Sequence, residues 1–189
     1  MPSSELDQHF TPRYVADFMT DLVPSTVHTI LEPSAGDGSL ADALVETGFM
    51  PDCIELDPYF AKVLRDKGHT VVGSNFLTHA KDKVYDLAVM NPPYSKGQDT
   101  LHVARALEHA REVIALVRVN IFASKERYLK IWSHCNLIGF YPFATRPRFS
   151  ESKGTLRHDV CVVHLQSTHH CEDVPLPVDF KVLGMAEWR

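Results

Sequence analysis

Tyr85-Asp86-Leu87-Ala88-Val89-Met90 runs directly into Asn91-Pro92-Pro93-Tyr94. An apolar run closed by two prolines reads as a buried strand ending in a rigid loop. That loop presents a side-chain amide, backbone carbonyls and an aromatic ring together. The combination suits gripping a flat molecule with an exocyclic amine.

Outward from this strand, the chain alternates short apolar runs with helical patterns. Residues 27–31, 52–56, 69–72, 83–90, 113–119, 136–143 and 160–165 read as strands, and 178–183 has the weaker pattern of a short tail strand. Thr11 is placed to cap a helix with Pro12 in its first turn, and Val15, Phe18, Met19 and Leu22 form its apolar stripe. Further helices are expected over 39–47, 58–67, 100–110 and 124–133. Leu101, Ala104 and Leu107 mark the apolar side of the third of these, and Tyr128, Leu129 and Trp132 that of the last. Strands and helices alternating in this way predict an α/β fold. The expected architecture is a mostly parallel seven-stranded sheet covered by helices on both faces. Ligands in such folds bind beyond the carboxyl ends of the strands.

With 189 residues, 44% hydrophobic and 23% charged, the chain can bury one good core, so a single domain over 1–189 is expected. No separate target-recognition domain is evident. No apolar run is long enough to cross a bilayer, and Met1-Pro2-Ser3-Ser4-Glu5 lacks the marks of a signal peptide. Cys53, Cys135, Cys161 and Cys171 form no CxxC pair and read as free thiols in a reducing compartment, here the cytoplasm. His164, His169, His170 and Cys171 fit no compact metal spacing, so no metal is expected.

Net charge is −5, but it is unevenly spread. Residues 1–110 sum to −8, whereas residues 118–157, after the proline loop, sum to +6. A local phosphate-binding face is therefore compatible with an acidic chain. Arg146, Arg148, Phe149, Lys153 and Arg157 make up its best candidate loop, with arginines to clamp phosphate and a ring to pack on a base.

After the first strand comes Glu32-Pro33-Ser34-Ala35-Gly36-Asp37-Gly38. Gly-x-Gly there permits a sharp turn, but carboxylates crowded around it would repel a pyrophosphate. A cofactor bearing a positive sulfonium and an α-ammonium group suits the site better. The second strand ends in Glu55-Leu56-Asp57, where a carboxylate can accept two ribose hydroxyls. Glu55 is one candidate for that role; Asp57 is another, or it caps the helix begun by Pro58.

Taken in order, these segments resemble the motifs of the S-adenosylmethionine-dependent DNA adenine-N6 methyltransferases, with the gamma-like arrangement of cofactor motifs before the catalytic loop. Leu31 to Gly38 resembles the first motif, Ile54-Glu55-Leu56-Asp57 the second, Gly73-Ser74-Asn75-Phe76-Leu77 the third and Asn91-Pro92-Pro93-Tyr94 the fourth. Phe10-Thr11-Pro12 is similar to the short motif that closes over the methionine part of the cofactor.

The resemblance implies a class I, Rossmann-like fold, S-adenosyl-L-methionine as cofactor, and nucleic acid as partner, DNA ahead of RNA. It also implies cofactor binding by Phe10, Thr11, Pro12, Glu32, Pro33, Ala35, Gly36, Asp37, Gly38, Glu55, Leu56, Asp57, Asn75, Phe76 and Leu77. Asn91, Pro92, Pro93 and Tyr94 would carry the chemistry, with Tyr94 stacking on the target base. Asn75 departs from the pattern, which has Asp there to accept from the cofactor's adenine amine. The chain is short for the gamma type, which leaves room for a homodimer or a partner subunit in target recognition. RNA adenine methylation, protein-glutamine methylation and a non-catalytic nucleic-acid-binding subunit are the alternatives.

Overall fold

The computed structural model describes residues 10–149, 159–171 and 177–183. Eight strands form one sheet: β1 (Ile30–Glu32), β2 (Asp52–Ile54), β3 (Thr70–Gly73), β4 (Tyr85–Met90), β5 (Ala110–Arg118), β6 (Cys135–Pro142), β7 (Val160–Ser167) and β8 (Asp179–Phe180). Their spatial order is β3-β2-β1-β4-β5-β7-β6-β8. All pairings are parallel except those of β7, which runs antiparallel to both β5 and β6. The sheet thus has one strand more than the seven expected. The addition is β8, two exposed residues beside β6, followed by a bridge from Leu183 to Phe143.

The helices are α1 (Arg13–Asp21), α2 (Ser39–Glu46), α3 (Pro58–Asp66), α4 (Gln98–His109) and α5 (Lys125–Lys130). The two faces of β4 and β5 show why the layers form. Leu87, Val89, Ile114 and Leu116 pack with Val15, Met19, Leu40 and Leu44 on the α1–α2 side. Ala88, Met90, Val113, Ala115 and Val117 pack with Val103, Ala106 and Leu107 of α4 on the other. Residues alternate in direction along a strand, so a continuous apolar run supplies both cores. Each fully buried Leu, Ile, Val or Met contributes roughly 1.5–3 kcal/mol.

Two helical expectations need correction. The buried stripe of α4 is Val103, Ala106 and Leu107, joined by Thr100 and His102, while Leu101 and Ala104 are only half-buried. α5 is shorter than expected and gives way to a 3-10 turn at Trp132–His134. Tyr128 and Leu129 are 58% and 54% exposed rather than on an apolar side. Trp132 packs flat on Phe122 at 4.6 Å and donates its indole N–H to the Ile121 carbonyl.

Parallel strand order reverses between β1 and β4, which opens a crevice at their carboxyl ends. The loops after β1, β2, β3 and β4 all meet there. Among the described residues, no helix is long and apolar enough to cross a membrane.

Candidate active site

A cavity of about 680 Å³ occupies that crevice. Its wall draws on every motif segment: Phe10, Pro33 and Gly36 before α2, Glu55 and Leu56 after β2, Asn75 to Leu77 after β3, and Asn91 to Pro93 after β4. A volume in this range holds a nucleoside-sized ligand.

The loop after β1 is shaped by its glycines. Gly36 has φ +54 and Gly38 φ +88, left-handed conformations that disfavour a side chain. A Cβ on Gly38 would sit 2.9 Å from a methyl of Leu64, and one on Gly36 would meet the Phe10 ring at 3.4 Å. Glu55 ties this loop to β2. Its Oε2 accepts from the Gly36 N–H at 2.6 Å and its Oε1 from the Asp57 N–H at 2.7 Å. Burial pushes the Glu55 carboxyl up, against the pull of those two N–H donors. Each oxygen keeps a second lone pair for a ligand hydroxyl.

The acidic residues around the loop divide by role. Asp57 caps α3, accepting from the Tyr59 N–H at 2.9 Å, as the second of its two sequence readings had it. Asp37 does not face the cavity. Its carboxylate accepts from Ser39 N–H and Oγ at the start of α2. Glu32 is 2% exposed, and its Oε2 has no hydrogen-bond partner among the described residues. Burial first, then the charges of Asp37, Glu55 and Asp42, raise the Glu32 carboxyl well above the usual carboxylate range. Ala35 and Gly38 support the turn from behind rather than lining the cavity.

Thr11 does not cap α1. Pro12 occupies that position without a side-chain cap, and the Thr11 hydroxyl instead accepts from Asn91 Nδ2 at 3.1 Å. The Tyr94 hydroxyl donates to Asn91 Oδ1 at 2.7 Å. These two bonds fix which way the amide points. Asn91 is half-buried on the cavity wall. Its carbonyl oxygen accepts from Tyr94, and an amide oxygen can accept two hydrogen bonds.

The expectation that Tyr94 and Phe149 offer open ring faces to a base is not met. Tyr94 is 4% and Phe149 6% exposed, and the two rings meet edge to face at 6.4 Å inside the α1-side core. Apolar rings bury wherever the fold has room, and Tyr94 turns inward to reach Asn91. Asn75 accepts from the Leu77 N–H at 3.1 Å and so caps its own turn. Phe76 is 2% exposed and packs mainly as core, against His102 and His109.

Of the basic loop, Arg146 and Arg148 are exposed, and Arg146 pairs with Asp159 at 2.8 Å. Lys153 and Arg157 lie outside the described residues. Two other basic residues of that stretch serve the framework. Arg118 at the end of β5 forms a two-bond pair with fully buried Asp99 of α4, each bond 2.8 Å. Arg127 reaches the carbonyls of Asn120 and Ala123. Arg118 and Asp99 anchor the first turn of α4, so they place a wall segment that sequence reading missed: Ser95, Lys96, Gln98 and His102. Lys96 there has φ +51, a conformation that L side chains rarely adopt, and Gly97 follows at φ +75.

No family model matches the chain. It is 32% identical over 90 residues to the type II methyltransferase M.HincII of Haemophilus influenzae. The match covers 47% of this chain and 17% of the relative. Among solved structures, a Pyrococcus horikoshii protein assigned as an RNA methyltransferase superposes with a TM-score of 0.72 at 19% identity, covering 88% of this chain and 91% of that one. A Listeria monocytogenes protein assigned as a class I S-adenosylmethionine-dependent methyltransferase also reaches 0.72, at 12% identity over 96% and 68% of the two chains. The modification subunit of a type I restriction enzyme assigned in Vibrio vulnificus reaches 0.69, at 12% identity over 99% and 49%. The fold is that of the class I S-adenosylmethionine-dependent methyltransferases. The cavity fits the cofactor of that fold. Gly36 keeps the loop close beside the Phe10 ring, where a Cβ would crowd it, and Glu55 offers paired oxygens for ribose.

Proposed function

We propose that this chain transfers a methyl group from S-adenosylmethionine to the N6 amine of adenine in DNA. The observation that carries the reading is Asn91, held on the cavity wall with its amide orientation set by Thr11 and Tyr94. Bound S-adenosylmethionine supplies an electrophilic methyl on a sulfonium. The chain's own residues prepare the acceptor. An exocyclic amine is a poor nucleophile because its lone pair is delocalised into the ring. Asn91 Oδ1 and the Pro92 carbonyl accept its two hydrogens, favour a more pyramidal nitrogen, and stabilise positive charge as it develops there.

Tyr94 acts through Asn91, by donating to its oxygen, rather than as a stacking plate. Pro93 supplies cavity wall beside the loop. The exposed Arg148, and Arg146 on the same loop, are the candidates for holding phosphate. The type II methyltransferase relative supports DNA ahead of RNA. The test is Asn91→Ala. Methyl transfer should fall at least 100-fold with cofactor affinity largely kept. An unchanged rate would remove Asn91 from the chemistry.

A further inference from the structure

α4 contributes a histidine to the cavity wall. His102 is 7% exposed and lines the cavity with Asn75, Phe76, Leu77, Pro93 and Gln98. Its Nδ1 lies 2.8 Å from the Gln98 carbonyl oxygen. A carbonyl can only accept, so Nδ1 carries the proton and Nε2 is left as a bare acceptor. Burial holds the imidazole below its ordinary pKa, which keeps it neutral near pH 7. Nε2 has no hydrogen-bond partner among the described residues, and it is not one of the polar atoms sealed from solvent. Its lone pair therefore opens onto the cavity.

The residue expected to accept from the cofactor's adenine is Asn75, whose side-chain oxygen lines the cavity but already accepts from the Leu77 N–H. The end of the cavity bounded by Phe76, Pro93 and α4 holds a further neutral acceptor, His102 Nε2. We infer that His102 Nε2 accepts a hydrogen bond from the exocyclic amine of the cofactor's adenine. The inference rests on the reading that this cavity takes S-adenosylmethionine, with its ribose at Glu55. A nitrogen that only accepts selects a purine carrying a donor at position 6. A site with an unanswered buried acceptor rejects an analogue that lacks the donor.

The experiment is calorimetric titration of the purified chain with S-adenosylhomocysteine and with its analogue lacking the 6-amino group. The native chain should bind the amino form at least about tenfold more tightly. His102→Leu should weaken the amino form by about tenfold and leave the other nearly unchanged, so discrimination disappears. His102→Gln, which can present a carbonyl oxygen, should restore part of it. If His102→Leu is unfolded by circular dichroism, the comparison passes to His102→Gln and Asn75→Ala, both of which should keep discrimination. Equal losses for both ligands in His102→Leu would reduce the residue to packing and overturn the inference. Discrimination lost in Asn75→Ala would return the role to Asn75. A native chain that binds neither ligand would overturn the cofactor reading and this inference with it, whereas binding without discrimination would overturn this inference alone.

Discussion

Asn91 Nδ2 donates to Thr11 Oγ1 across 3.1 Å, joining the loop after β4 to the entry of α1 eighty positions earlier. With Tyr94 donating to the same amide's oxygen at 2.7 Å, the side chain is held from both ends. Positioning of this kind is worth most where the attack must be in line. Thr11→Val should lower kcat for methyl transfer by about fivefold with little change in cofactor affinity, a loss in keeping with one hydrogen bond of about 1 kcal/mol. Thr11→Ser should restore most of it. A Val variant with native kcat would show that Asn91 needs no such hold.

Glu55 does two jobs with one carboxylate. It accepts from Gly36 and Asp57 N–H groups while facing the cavity. Glu55→Gln keeps only one acceptor oxygen and turns an N–H donor toward the other amide. S-adenosylhomocysteine binding, read by calorimetry, should weaken more than tenfold, and the melting temperature should fall together with it. Native affinity in this variant would remove Glu55 from the ribose site.

Glu32 predicts a pH effect on stability. Burial raises its carboxyl well above the usual range in the fold. The folded state therefore binds this proton more tightly than the unfolded state does. Where the unfolded group has ionised and the folded one has not, stability falls as pH rises. The decline should begin near the ordinary carboxylate value and end above the raised one, and Glu55, shifted the same way, adds to it. Glu32→Gln mimics the neutral acid, so urea midpoints measured against pH should show a shallower decline. Parallel profiles for native chain and variant would contradict the assignment.

Asp99 is fully buried and meets Arg118 through two bonds of 2.8 Å. Arg118→Met strands that carboxylate, which should cost about 3–5 kcal/mol in urea unfolding. Adding Asp99→Leu should recover much of the loss, because the buried charge leaves with its partner. A single-variant loss below about 1 kcal/mol would mean that the pair is solvated.

Much of this was legible in the sequence because it depends on short-range pattern. The apolar run into Asn91-Pro92-Pro93-Tyr94, the glycine turn after β1 and the Asp57-Pro58 cap are local signals, and they stand where the pattern put them. What was missed depends on tertiary contact. Tyr94 and Phe149 look alike as exposed or buried rings until the α1-side core closes around them. Thr11 before Pro12 has the form of a cap, and only a residue eighty positions away claims its hydroxyl. His102 hides among the buried positions of α4. Arg118 counted toward a basic face until Asp99 placed it inside.

The central claim is tested most directly by incubating the purified chain with isotopically labelled S-adenosylmethionine and DNA, then digesting the DNA to nucleosides for mass spectrometry. The label should appear as N6-methyladenine and vanish with Asn91→Ala. Label on cytosine, on RNA or protein alone in parallel incubations, or on no acceptor at all would contradict it.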